Sequence, residues 1–111
     1  MYAVINHLPI KPGTDWAALT AKIDAYNAGI THPDFRGLSL IRAGDDEATV
    51  LVLFATRPAL DQISREAASW FAENIRSYLA GPAQRSVGEV VAGALRSKAP
   101  NLESTTEGKM P

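Results

Sequence analysis

The chain has 111 residues, 46% of them hydrophobic and 21% charged, which supports one folded domain and argues against a disordered protein. Its net charge of −1, from interspersed acids and bases, gives neither the basic footprint of a nucleic-acid binder nor a polybasic membrane patch. The absence of cysteine excludes disulfides, a thiolate nucleophile and cysteine-held zinc or iron–sulfur centres.

Residues 2–9, YAVINHLP, alternate as a strand, with Tyr2, Val4, Asn6 and Leu8 on one face and Ala3, Ile5 and His7 on the other. Two polar residues at its centre are unusual, because strands disfavour Asn and burial penalises an unpaired polar group. Lys11-Pro12-Gly13 ends the strand and Thr14 reads as a helix N-cap, with Asp15 in the first turn. Trp16, Leu19, Ile23, Tyr26 and Ile30 then recur at helical spacing, and Gly29 with Thr31-His32-Pro33 closes that helix. Residues 35–43 and 48–56 read as two strands joined by the turn at 44–47, an antiparallel hairpin. Thr56 and Pro58 open a second helix with an expected break near Ser64. Beyond it Ala67, Phe71, Ile75, Tyr78 and Leu79 share a face, and Gly81-Pro82 stops it. Residues 85–92 form the fourth strand, so the domain is placed at 1–92, and 93–111 form a polar tail without periodicity.

The order β-α-β-β-α-β predicts an α+β, ferredoxin-like fold: a four-stranded antiparallel sheet with both helices on one face. The third strand, Val50-Leu51-Val52-Leu53-Phe54, is apolar on both faces, whereas helices cover only one. A second copy packed sheet to sheet is the simplest cover, so a twofold homodimer is expected. The longest apolar run, 48–55, is too short to span a bilayer, and no signal peptide is visible. The expected location is therefore the cytoplasm, with no membrane or nucleic-acid partner.

Three stretches carry a family resemblance: VINHLPIKPG (4–13), HPDFRGLSLIRAGDDEATVLVLFATRPAL (32–60) and WFAENIRSYLAGPAQRSVGEVVAG (70–93). Together with the element order, they resemble the antibiotic-biosynthesis-monooxygenase-like branch of the dimeric α+β barrel superfamily. The resemblance implies two sheets joined into a barrel, with a pocket between each subunit's sheet and helices. It also implies either cofactor-independent oxygenation of an aromatic, polyketide-like or quinol substrate, or haem degradation. Asn6 falls where such proteins often place a pocket asparagine. Haem-degrading members carry a tryptophan at the end of strand three and a histidine on the second helix. Here Ala55 or Thr56 takes the first position and residues 57–80 hold no histidine, which argues against haem ligation.

Asn6 reads as a pocket amide that anchors a substrate oxygen, or as an asparagine satisfied by nearby backbone. Trp70, at the edge of its helical stripe, is the expected stacking wall and second catalytic candidate. Tyr78, Arg42, Phe71 and Tyr26 are substrate-binding candidates, with core packing or solvation as the alternative for each. His7 should sit on the other side of the sheet, paired with Glu89, and His32 reads as a loop residue. Two distant histidines and a turn of acids give no metal site. No dinucleotide fingerprint, P-loop or nucleophile elbow occurs. The functional expectation is a monooxygenase with no cofactor or metal. A non-catalytic small-molecule-binding or interaction dimer is the alternative, and haem degradation ranks third.

Overall fold

The computed structural model describes residues 1–93; the expected tail from 94 onward lies outside the described residues. Strands β1 (Tyr2–Pro9), β2 (Phe35–Gly44), β3 (Glu47–Phe54) and β4 (Gln84–Glu89) make one antiparallel sheet in the order β2-β3-β1-β4. Helices α1 (Trp16–Gly29) and α2 (Arg57–Asn74) complete the α+β, ferredoxin-like fold expected from the sequence. No helix among the described residues is long and apolar enough to cross a membrane.

Local chemistry sets the element ends, and in several places they differ from expectation, β4 for one ending at Glu89 rather than at residue 92. The cap of α1 is Asp15 rather than Thr14: its carboxylate accepts from the Ala18 N–H at 3.1 Å. The Thr14 hydroxyl instead donates to the Lys11 carbonyl at 2.7 Å, closing the turn that Gly13 enables with φ +76°. Helix α2 runs through Ser64 without a break. A serine costs a helix interior only about half a kcal/mol, which the buried face carrying Ala59, Leu60 and Ile63 outweighs. Thr56 caps this helix, accepting from Ala59 N–H at 3.3 Å while donating to the Asp34 carboxylate at 3.2 Å. Pro58 sits in the first turn, where no N–H is needed. The helix ends at Asn74, and a single 3₁₀ turn, Arg76–Tyr78, follows. Backbone bonds from Lys11 N–H to the Tyr78 carbonyl (2.8 Å) and from Ala80 N–H to the Pro9 carbonyl (2.9 Å) tie that turn to the end of β1.

The β1–β4 register corrects the expected His7–Glu89 pair. Because the strands run antiparallel, Glu89, late in β4, lies opposite Tyr2, while His7 lies opposite Gln84. Glu89 therefore shares the Tyr2 face and His7 the other, where its Nδ1 is 3.3 Å from the Thr49 hydroxyl.

One face of the sheet, carrying Val4, Asn6, Leu8, Leu38, Leu40, Val50, Val52 and Phe54, meets the helices. Its core is split in two. Leu8, Ile10, Leu19, Ile23, Ala48, Val50 and Ile75 form one cluster, and Val4, Phe54, Ala59, Leu60 and Ile63 the other. The opposite face carries Ala3, Ile5, Leu51, Leu53 and Ile41 with no described element over it, and Ile41 is 46% exposed.

Candidate functional site

The split in the core is where a cavity opens. Between the helix-facing side of the sheet and α2 lies a space of about 390 Å³, bordered by Val4, Phe54 and Ile63 of one cluster. An adjoining recess of about 90 Å³ reaches Leu8, Leu19, Ile23, Val50 and Ile75 of the other. The two share a wall of Asn6, Tyr26, Leu38, Val52, Ala67 and Phe71. The space exists because α2 turns small side chains toward it: Ser64, Ala67 and Ala68, spaced i, i+3 and i+4, line the larger part. Leucine-sized residues at these positions would close the gap between the clusters.

Asn6 stands at the junction of the two spaces. Alternation along β1 puts it on the helix face, between Val50 on one side and Arg85 on the other. Its side-chain amide makes no hydrogen bond to another described residue, and its cross-strand neighbour Arg85 donates instead to the Ser64 hydroxyl at 3.1 Å. A half-buried amide without a protein partner, surrounded by apolar walls, is available to a bound molecule.

The aromatic wall comes from both helices. Tyr26 of α1 stacks on Trp70 of α2 with ring centroids 4.2 Å apart and planes 23° from parallel. This pair separates the inner space from a second, outer groove of about 660 Å³ between the helices, which Lys22, His32, Glu66 and Asn74 line. Tyr26 borders all three spaces, Trp70 the recess and the outer groove, and Phe71 the two inner spaces. Burial, and secondarily the Glu66 carboxylate, raise the Tyr26 phenol above its ordinary range, so it is a neutral hydrogen-bonding group at pH 7.

Of the residues the sequence singles out, the structure thus brings Asn6, Tyr26, Trp70 and Phe71 together around one space. Arg42 and Tyr78 lie elsewhere. Arg42 is at the hairpin end of β2, its guanidinium 4.4 Å from the centre of the Trp16 ring and its Nε bonded to the Gly44 carbonyl at 3.3 Å. Tyr78 leaves the helical stripe because α2 stops at Asn74. The 3₁₀ turn packs it against the Leu8–Ile75 cluster, with the Lys22 ammonium 5.9 Å from its ring. His32 works within its loop: its Nδ1 accepts from the Asp34 N–H at 3.0 Å. Arg76, Arg85 and the small trio on α2 line the cavity without having been predicted from the sequence. The trio was visible as small residues spaced along one helical face between Ile63 and Phe71. The arginines carried no sequence signal. Among the described residues no group of three potential metal ligands occurs.

The sequence matches no protein-family model and no curated protein. Solved structures do match. A protein of unknown function from Nitrosomonas europaea superposes with a TM-score of 0.70 at 20% identity, covering 87% of this chain and 95% of its own. The cofactor-independent oxygenase SnoaB from Streptomyces nogalater gives 0.64 at 13% identity, covering 83% and 94%. The heme-degrader MhuD from Mycobacterium tuberculosis, solved with two hemes in its active site, gives 0.63 at 18% identity, covering 85% and 99%. The likeness is one of fold. It is the subunit fold that the resemblance to antibiotic-biosynthesis-monooxygenase-like proteins implied, and it hosts both oxygenases and a heme-degrader. The cavity's donor set does not suit haem. Its lining holds no histidine, cysteine or methionine, and its one phenol, Tyr26, is stacked on Trp70 and held in the neutral form.

Proposed function

We propose that the chain is a cofactor-independent monooxygenase for an aromatic small molecule of anthrone or quinol type, working as a twofold dimer through the uncovered sheet face. The observation that carries this reading is the unpartnered Asn6 amide in an apolar cavity walled by Phe71 and the Tyr26–Trp70 pair. A flat apolar ring system fits such walls, and the amide N–H donors can hold its one polar edge. An anthrone-type substrate, once its acidic C–H has passed a proton to water at the cavity mouth, to be regained by the peroxide, needs no external reductant. The carbanion passes an electron to dioxygen, the radical pair joins as a peroxide, and loss of water leaves a new carbonyl. One oxygen atom ends in the product and the other in water, together with the two hydrogens of the oxidised carbon. The protein's part is to orient the ring, exclude water and donate hydrogen bonds from Asn6 to the oxygen that becomes anionic.

A second reading, a binding dimer without turnover, is favoured by one feature: neither a carboxylate nor a histidine lines the inner cavity, so no side chain there acts as general base. Oxygen uptake with a panel of anthrones and quinols separates the two. The monooxygenase reading expects turnover that Asn6→Ala lowers by at least tenfold. Tight binding with no oxygen consumption across the panel establishes the second reading instead.

A further inference from the structure

The inner cavity carries two charged groups, and both are cationic. Arg85 on β4 and Arg76 in the 3₁₀ turn after α2 line the larger space, and neither reaches the apolar recess beyond Asn6. No carboxylate lines that space, and among the described residues neither guanidinium forms an ion pair; Arg42–Asp45 and Arg57–Asp61 are the pairs present there. Two like charges line one cavity with no acid among its lining residues, and neither gains anything from the apolar walls. The Ser64 hydroxyl, 3.1 Å from Arg85 Nη2, holds that guanidinium over the opening. Arg85 is also the register partner of Asn6, so a polar strip runs from the mouth at Arg76 and Arg85 to the junction at Asn6, and only apolar walls and Tyr26 lie deeper.

We propose that this strip reads a substrate with a polarity of its own: an aromatic carboxylic acid whose carboxylate sits between Arg76 and Arg85 at the mouth while its rings lie inward past Asn6. The inference rests on the reading that the inner cavity is the ligand site, and it narrows the ligand class from aromatic to acidic aromatic. A guanidinium fork matches a carboxylate in geometry and charge, and a charge-assisted bond at a partly desolvated mouth is stronger than one in open water. Both arginines are exposed, so their replacement leaves the core intact.

Equilibrium dialysis or calorimetry with anthraquinone-2-carboxylate and its methyl ester tests this without requiring turnover. The expected result is that the acid binds at least tenfold more tightly than the ester. Arg85→Gln and Arg76→Gln should each weaken the acid by about tenfold and the ester by less than twofold, and added salt should weaken the acid alone. Equal affinity of acid and ester for the wild-type protein, or equal losses of both in the arginine variants, overturns the acid-recognition inference and leaves the cavity reading intact. Failure of both probes to bind overturns the acid-recognition inference and the cavity reading together. Arg85→Lys discriminates further: recovery of less than half the lost affinity is expected of forked recognition, and full recovery overturns it in favour of a diffuse charge effect.

Discussion

Replacing Asn6 by leucine separates what the residue does for a ligand from what it does for the fold. The two side chains branch at the same carbon, and the space beside Asn6 has room for the extra volume. A buried polar group left without a partner costs about 1–3 kcal/mol. Asn6 is half-buried and borders a cavity that water can enter, so the lower end applies. Removing the amide and adding apolar contact with Leu38, Val52 and Phe71 should stabilise the protein by about 1 kcal/mol. In a domain of this size that is a rise of about 4–8 °C in Tm. It also shifts the urea midpoint by about 0.3–1 M with the slope unchanged. Ligand binding or turnover should fall at the same time, the pattern of a polar group kept for function at the expense of stability. Paired urea melts with a binding measurement check this. A loss of stability on Asn6→Leu would refute the reasoning, because it would mean the amide is satisfied within the fold and not held for a ligand.

Three further outcomes follow from particular contacts. The raised Tyr26 phenol should titrate above the ordinary tyrosine value of about 10 in an ultraviolet difference titration of wild type against Tyr26→Phe. Glu66→Gln should lower it part of the way, since the carboxylate is the lesser cause after burial. A folded-state value above the unfolded one favours the protonated folded form. That contribution is fully present at pH 7 and is lost as the pH rises through the folded value, so alkaline melts should penalise wild type more than Tyr26→Phe. Thr56→Ala removes the cap of α2 and its bond to Asp34, and should cost about 1 kcal/mol in a denaturant melt. Leu51→Lys places a charge at the centre of the uncovered sheet face. If a second copy covers that face, light scattering should show wild type as a dimer and the variant as a monomer with unchanged circular dichroism, whereas a monomeric wild type removes the dimer from the proposal.

What could be read in the sequence was local or periodic. The alternation in 2–9, the helical spacing of Trp16 to Ile30, the hairpin around Asp45-Asp46 and the Gly-Pro stop each depend on neighbours a few residues away. Together with the handedness of crossovers they determine the sheet and its two helices. Alternation also put Asn6 and His7 on opposite faces, since a strand has period two whatever surrounds it. The fold alone decided what required distances between segments far apart in the chain. The register put Glu89 opposite Tyr2 and Arg85 opposite Asn6, and it separated His7 from its expected partner. The end of α2 at Asn74 removed Tyr78 from the stripe, because the 3₁₀ turn is held by backbone bonds to the end of β1, some seventy residues earlier. Stacking of Tyr26 on Trp70, and the gap left by Ser64, Ala67 and Ala68 against the sheet, join two helices and a strand, and no local pattern records which small residues will face one another. Local patterns suffice for the frame and for the face on which Asn6 points inward. That a cavity meets it there, lined by two arginines, follows only from the assembled fold, because a cavity is a property of what several segments fail to fill.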